Sequence, residues 1–334
     1  MSGLRGEAEL VEACLEGARA AGADTSGLDE AGGLVLGPGD DAAILRAPPG
    51  HDLVWSSDEQ VEDVHFRRRW GEAFGFAALG TKAAGASLSD LAAMGAKPLG
   101  ALFSLRLPPE LADHAEALAR GVGAQLAAAG CPLAGGNLAR APQLGLTIDV
   151  LGTVPEGRGL RRDQARPGDA IYVSGELGWA ALGLRWLEAG LSPDDPSATR
   201  ALEALFHPRP RIKLGLQLQA LPRVACMDLS DGLAKDLPRL ARASGVRVEV
   251  HSELLPGPSG EAVETLRRED SARGLSPADL AWSGGEDYEL LIVGPPSVLS
   301  EVAGLVQVGQ VSAGSETLRD GVRATGGHDH FSPG

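Results

Sequence analysis

Five short acidic segments hold most of this chain's capacity for chemistry: Gly37-Pro38-Gly39-Asp40-Asp41, Ser56-Ser57-Asp58, Ser87-Leu88-Ser89-Asp90, Asp228-Leu229-Ser230-Asp231-Gly232 and Ser283-Gly284-Gly285-Glu286-Asp287. Each sets carboxylate or hydroxyl oxygens beside small residues or glycine. Hard divalent cations take oxygen ligands, and Mg2+ typically joins one or two carboxylates per ion to substrate phosphates. The set therefore points to phosphate chemistry assembled from several loops.

Most of these segments also have a plainer reading. Asp40-Asp41 is either a carboxylate pair that repels itself unless a cation lies between, or an exposed acidic turn. Ser56-Ser57-Asp58 closes the apolar run Leu53-Val54-Trp55, which puts its oxygens at a strand end or at a helix N-cap. Ser89-Asp90 lies in a stretch that should be helical throughout, where a buried Asp must be paired or metal-bound. Asp228 and Asp231 follow the apolar run Val224 to Met227 and precede a helix, at a strand-to-helix turn of the kind that binds ligands in α/β domains. The two glycines before Glu286 permit close backbone approach to a ligand, or make a simple acidic hairpin turn. Ala134-Gly135-Gly136-Asn137 offers amides to a phosphate, or is only a turn. His65, beside Phe66 and the run Arg67 to Arg69, is a packing or surface residue or faces a phosphate. Gly75 to Lys82 reads G-x-x-x-x-G-T-K, one transposition from a P-loop, but it falls inside an Ala-rich helical stretch rather than after a strand. There is no Ser/His/Asp order, Zn-ligand spacing or G-x-G-x-x-G that would favour a hydrolase or dehydrogenase.

The elements that must position these residues follow from periodicity. Glu7 to Ala21 reads as an amphipathic helix with Leu10, Val11, Cys14, Leu15 and Ala18 on one face. Leu34 to Leu36, Ala42 to Leu45 and Asp52 to Ser57 read as short strands, with Gly37 to Asp41 on the turn between the first two. Phe74 to Met94 and Pro109 to Ala129 are long Ala-rich helices packed through small side chains, and Leu99 to Leu107 and Leu144 to Val154 are strands of a half-buried sheet. Pro155 to Gly159 breaks the pattern and marks a domain boundary. Beyond it, strands at Ala170 to Val173, Val224 to Met227, Val246 to Val250, Glu289 to Val293 and Val306 to Val311 interleave with helices near Trp179 to Glu188, Arg211 to Leu221 and Leu233 to Ala243. That alternation predicts an α/β second domain.

The chain has 334 residues, enough for two domains, and a formal charge of −15, which argues against holding a nucleic acid by net field. Three well-separated cysteines, Cys14, Cys131 and Cys226, read as buried free thiols in a reducing compartment. No run approaches the roughly 18 apolar residues of a membrane span. These features predict a cytoplasmic protein with no membrane or nucleic-acid partner.

Taken in order, the segments resemble the thiamine-monophosphate kinases, in the superfamily of aminoimidazole ribonucleotide synthetase, selenophosphate synthetase and the hydrogenase-maturation dehydratase. The likeness runs from about Gly37 to Phe331. It is carried by Gly-x-Gly-Asp-Asp at 37–41, Leu88-Ser89-Asp90-Leu91-Ala92-Ala93-Met94-Gly95-Ala96, Met227-Asp228-Leu229-Ser230-Asp231-Gly232-Leu233, Ser283-Gly284-Gly285-Glu286-Asp287-Tyr288-Glu289-Leu290 and Gly327-His328-Asp329-His330-Phe331.

The resemblance implies direct, in-line transfer of the γ-phosphoryl of ATP to thiamine monophosphate with several Mg2+ ions. It implies a two-domain α+β and α/β architecture in a homodimer. Residues 1–155 would form a mixed-sheet domain that pairs across the dimer and binds Mg2+ and ATP, and residues 156–334 an α/β domain. By motif match it makes Asp41, Ser56, Ser57, Asp58, Asp90, Asn137, Asp228 and Asp231 metal ligands, with Asp58, Asp90 and Asp231 central to catalysis. Gly136, Asn137, Arg162 and Ser230 would contact ATP, and His65, Glu286 and Thr325 the acceptor. An ionised phosphate acceptor needs no general base. Two groups of charge −2 about 4.5 Å apart repel by on the order of 15 kcal/mol at an effective dielectric of about 20, and clustered cations offset this. Arg162 would add to that charge.

At three places the chain departs from the family pattern. Asn137-Leu138 stands where Asp-Thr is expected, Ser87 stands for Asn, and Thr325 for an aromatic that stacks on the acceptor. Two further readings stay open: a related ATP-dependent enzyme with another acceptor, and a weakly active nucleotide-binding regulator.

Overall fold

Side-chain alternation along the strands decides which oxygens can meet. The computed structural model describes residues 6–26, 33–269 and 276–324. It divides into two units, Met1–Leu91 with Ala96–Gly159, and Ala92–Gly95 with Leu160–Gly334.

In the first unit, α1 (Glu7–Ala20) precedes a small antiparallel pair, β1 (Gly33–Leu36) and β2 (Ile44–Arg46), whose connection carries Gly37 to Asp41. Then come β3 (His51–Val61), α2 (Arg68–Phe74), α3 (Phe76–Ala93), β4 (Lys97–Leu107), α4 (Ala115–Ala129), β5 (Leu133–Arg140) and β6 (Gly145–Pro155). The sheet order is β3-β6-β4-β5, mixed because β4 and β5 run parallel while the other pairs are antiparallel. One face buries Phe103, Leu105, Leu146, Ile148 and Val150. The other leaves Trp55 73% and Leu102 37% exposed.

The long Ala-rich helices do pack through small residues. A Cβ on Gly80 would lie 2.1 Å from the Leu118 carbonyl oxygen, and one on Gly121 would lie 1.9 Å from that of Ala77, so α3 and α4 touch backbone to backbone. The P-loop look-alike is ruled out by the same packing: Gly75 caps α2, and Lys82 sits fully buried within α3.

Three expectations are corrected here. Ser56-Ser57-Asp58 lies in the middle of β3 rather than at its end or at a helix cap, because Glu59-Gln60-Val61 continues the alternation with Gln60 turned inward. Gly135-Gly136-Asn137 is strand, not a turn; Gly136 passes so close to β4 that a Cβ would meet the Phe103 carbonyl oxygen at 1.8 Å. On α1 the buried residues are Ala13, Gly17 and Ala18, which meet α4, whereas Val11 is exposed and Cys14 only half-buried.

In the second unit the elements run β7 (Ala170–Val173), α5 (Trp179–Glu188), α6 (Pro196–Phe206), α7 (Ile212–Gln219), β8 (Ala225–Asp228), α8 (Leu233–Ser244), β9 (Arg247–Val250), α9 (Gly260–Glu269), α10 (Pro277–Ser283), β10 (Leu290–Gly294), α11 (Pro296–Leu299), β11 (Val306–Ser312), β12 (Thr317–Arg319) and β13 (Val322–Arg323). The sheet order is β13-β12-β9-β11-β7-β10-β8, antiparallel except for β9 with β12. Its core joins Ile171, Met227, Leu237, Val248 and Leu291. Helices α6 and α10 escape a breaker-based reading because each opens on proline, which suits the first turn, where no N–H partner is needed. Among the described residues no helix is long and apolar enough to cross a membrane.

The helix contact is directly testable. Gly121→Val should lower the unfolding free energy by about 1–3 kcal/mol or more through overpacking against Ala77. A urea midpoint equal to that of the unsubstituted protein would show that α3 and α4 can separate without loss.

Candidate active site

In the first unit, β3 and α3 bring together the middle of the predicted ligand set. Ser56 and Asp58 share one face of β3, and the Ser56 hydroxyl donates to Oδ2 of Asp90 on α3. Burial, and then the charge of Asp90, push Asp58 up from 3.8 to about 6. The flanking hydroxyls of Ser87 and Ser89 are fully buried with no hydrogen-bond partner among the described residues. An all-oxygen group of two mutually repelling carboxylates and a hydroxyl, beside orphaned buried oxygens, fits a hard divalent ion. Ser56, Asp58 and Asp90 are the residues able to hold one.

Ser57 and Asn137 lie on the opposite side of this sheet. Register pairs Ser57 with Asp149, and aligns Glu59, Thr147, Ser104 and Asn137 in one row across four strands. Directly opposed residues share a face, so this row looks away from Asp58. Ser104 and Asn137 of this row, with the exposed Asp41 loop and α1, line a cavity of about 870 Å³ that includes Trp55, Leu102 and Asp149. Asp149 went unsuspected in the sequence; its signal is a carboxylate in an apolar strand, opposite Ser57. Gly136 also lines this cavity, though its lack of a side chain is already required by the contact with Phe103. His65 is half-buried; its Nδ1 accepts the Val61 N–H at 3.0 Å, which assigns the ring proton of the neutral form to Nε2.

In the second unit the two remaining motifs are zipped together. The N–H of Leu229 donates to the Glu289 carbonyl at 2.8 Å, that of Glu286 to Ser230 at 2.8 Å and that of Tyr288 to Leu229 at 2.9 Å. Gly232, at φ 93°, passes Gly284 so closely that a Cβ would lie 2.7 Å from its carbonyl oxygen. Asp228 is buried at the end of β8, and Ser230, Asp231 and Glu286 are half-buried beside it in sequence and in the zipper. Asp287 turns away, accepting the Gly178 N–H at 2.7 Å, and burial raises its pKa well above the carboxylate range. Glu289 accepts from Ser174 and from Arg211, at 2.7 Å for Nε, which braces the strand behind the loop. Asp231 is already matched by cations: Lys235 Nζ stands 3.0 Å and Arg239 Nη2 2.8 Å from its Oδ2. Arg162 is exposed in a turn tied to α8 by the Ser244 hydroxyl, 2.7 Å from its carbonyl oxygen. Thr325 lies outside the described residues. A separate grouping, His251 with Glu253 and Asp320, has metal-like spacing, but Ser252 already donates to both Asp320 oxygens.

The AIR synthase related proteins match this chain by both of their domains, the N-terminal over residues 39–154 and the C-terminal over residues 166–315. Thiamine-monophosphate kinase of Salmonella typhimurium is 36% identical over 311 residues, covering 89% of this chain and 92% of the relative. The chain belongs to the thiamine-monophosphate kinase family. The crystal structure of thiamine-monophosphate kinase from Stenotrophomonas maltophilia K279a superposes with a TM-score of 0.79 at 32% identity, covering 93% of this chain and 97% of that one. A second solved structure, AaThiL complexed with AMPPCP and TMP, gives 0.77 at 32% identity over 87% and 91%. Within this family, the chain's own geometry separates Ser57 from its neighbours Ser56 and Asp58 and supplies protein cations to Asp231.

The Asp58–Asp90 pair carries a pH signature. Because the folded pKa of Asp58 is raised from 3.8 to about 6, the pair costs stability as pH rises through that window. Asp90→Asn removes the second charge while leaving an acceptor for Ser56. The metal-free variant should therefore melt higher than the parent protein at pH 7.5, yet gain less from added Mg2+. Equal melting curves at pH 7.5 would mean that the two carboxylates do not feel each other.

Proposed function

We propose that this chain transfers the γ-phosphoryl group of ATP to thiamine monophosphate, giving thiamine diphosphate and ADP. The observation that carries this reading is the half-buried Ser56–Asp58–Asp90 oxygen cluster within a fold shared along nearly its whole length with thiamine-monophosphate kinases. Mg2+ held there would offset the repulsion between donor and acceptor phosphates, the main obstacle to in-line attack. The remaining work falls to the protein. Ser56 orients Asp90, and burial, together with the neighbouring charge of Asp90, raises Asp58 to about 6. On the motif match Ser230, in the zipped loops, would contact nucleotide and Glu286 the acceptor, and His65, whose Nδ1 accepts from the Val61 N–H, would face the acceptor as well. Arg162 and Asp228 join as nucleotide and metal contacts on the same motif grounds, and from the cavity of the first unit Gly136 and Asn137 would serve the nucleotide and Asp41 a metal ion.

The open face of the β3-β6-β4-β5 sheet supports a homodimer, since exposed Trp55 and Leu102 form an apolar surface that a second copy would cover. Ser57, Asp149 and Asn137 would then lie at that interface.

Purified protein given ATP, Mg2+ and thiamine monophosphate should yield equal amounts of thiamine diphosphate and ADP, with none when the metal is chelated. Asp58→Ala should reduce turnover by about tenfold or more while the protein stays folded. ATP bound without turnover would move the assignment to another acceptor or to a regulatory role. Restoring a carboxylate with Asn137→Asp should lower the Mg2+ concentration for half-maximal rate, and an unmoved Mg2+ curve would remove Asn137 from the metal site.

A further inference from the structure

Asp231 is expected to bind metal, yet its carboxylate is already engaged. Lys235 and Arg239 meet the same oxygen, Oδ2, from successive turns of α8, at i+4 and i+8 from the carboxylate. Arg239 is fixed in turn: its Nη1 stands 2.6 Å from Oδ1 of Asp236, which is completely buried. The other oxygen of Asp236 accepts the backbone N–H of Asp231 at 3.0 Å. Two carboxylates and two cations thus close one balanced network around the loop.

This arrangement differs in kind from that of Asp58 and Asp90, where two acids face each other. A divalent ion cannot take Oδ2 of Asp231 with an ammonium and a guanidinium at hydrogen-bond distance from the same oxygen, because like charges at that range repel strongly. An ion that takes this oxygen must displace them. We infer that Lys235 and Arg239 act as exchange cations, holding Asp231 until a divalent ion displaces them and thereby setting the metal concentration at which this loop is loaded. The two are positioning residues, acting through Asp231. The inference rests on the reading of Asp231 as a metal ligand, and it explains how a half-buried acid in a metal-dependent loop stays ionised and oriented before the metal arrives.

Mn2+ alone is the probe, its free concentration followed by electron paramagnetic resonance on the whole protein. Asp231→Asn should abolish one class of bound ion. Lys235→Met should tighten that class by about fivefold, in keeping with loss of one partly exposed ion pair. Lys235→Arg, which keeps the charge, should bind as the parent protein does; this separates charge from packing. Lys235→Met is the deciding variant because Arg239 also supports buried Asp236. If Asp231→Asn keeps every ion, Asp231 is no ligand, and both the metal assignment and this inference fall. If Asp231→Asn loses the ion but Lys235→Met leaves its affinity unchanged, the metal assignment stands and the exchange is overturned.

Discussion

Gathering carboxylates in a partly buried place costs free energy, because each loses water and repels its neighbours. The chain meets this cost differently in its two units. Around Asp58 and Asp90 the acids are left close together, and Asp58 is raised to about 6 by burial and by its neighbour. Around Asp231 the charges are matched within the protein. Burial pushes Asp231 up, but hydrogen bonds from Lys235 and Arg239 outweigh this and hold it below the usual carboxylate range. Asp236 is carried up to about 6 by burial despite the Asp231 N–H and Arg239. The first cluster therefore gains most from an incoming cation, whereas the second must first give up cations of its own.

Much of this was legible in the residues. The interleaved strands of the second unit follow from short apolar runs bounded by glycine and polar turns, and β7 and α5 fall where periodicity puts them. Asp90 was legible as well, since an acid inside an Ala-rich helix demands a partner. The facing of Ser56-Ser57-Asp58 was not. Three oxygens in a row look like one ligand set, but a strand sends consecutive residues to opposite faces, so Ser57 parts from the other two once β3 is known to continue to Val61. The role of Gly136 was equally hidden, because the demand comes from the carbonyl of a strand about thirty residues away in sequence. The cations at Asp231 were present as Lys235 and Arg239, at helical spacing from the motif. Nothing local distinguishes such a pair from an ordinary solvated helix face.

The zipper between the β8–α8 loop and the loop before β10 adds a further constraint. Glu286 at φ 66° and Tyr288 at φ 50° occupy the left-handed region, which side chains with a Cβ enter only at a cost. Their N–H groups are held by Ser230 and Leu229, so the backbone of one motif fixes the other's uncommon conformation. Glycine is required where the loops pass: a Cβ on Gly285 would approach the Ser230 carbonyl oxygen to 2.8 Å. The direction of Glu286 is therefore not a property of its own segment. It depends on Leu229 and Ser230 staying where β8 and α8 put them, and α8 is the helix whose Arg239 joins Asp231 to buried Asp236. A change in the charge at Asp231 that moved this loop would reach Glu286 through three backbone hydrogen bonds, which physically couples Asp231 of one motif to Glu286 of the other.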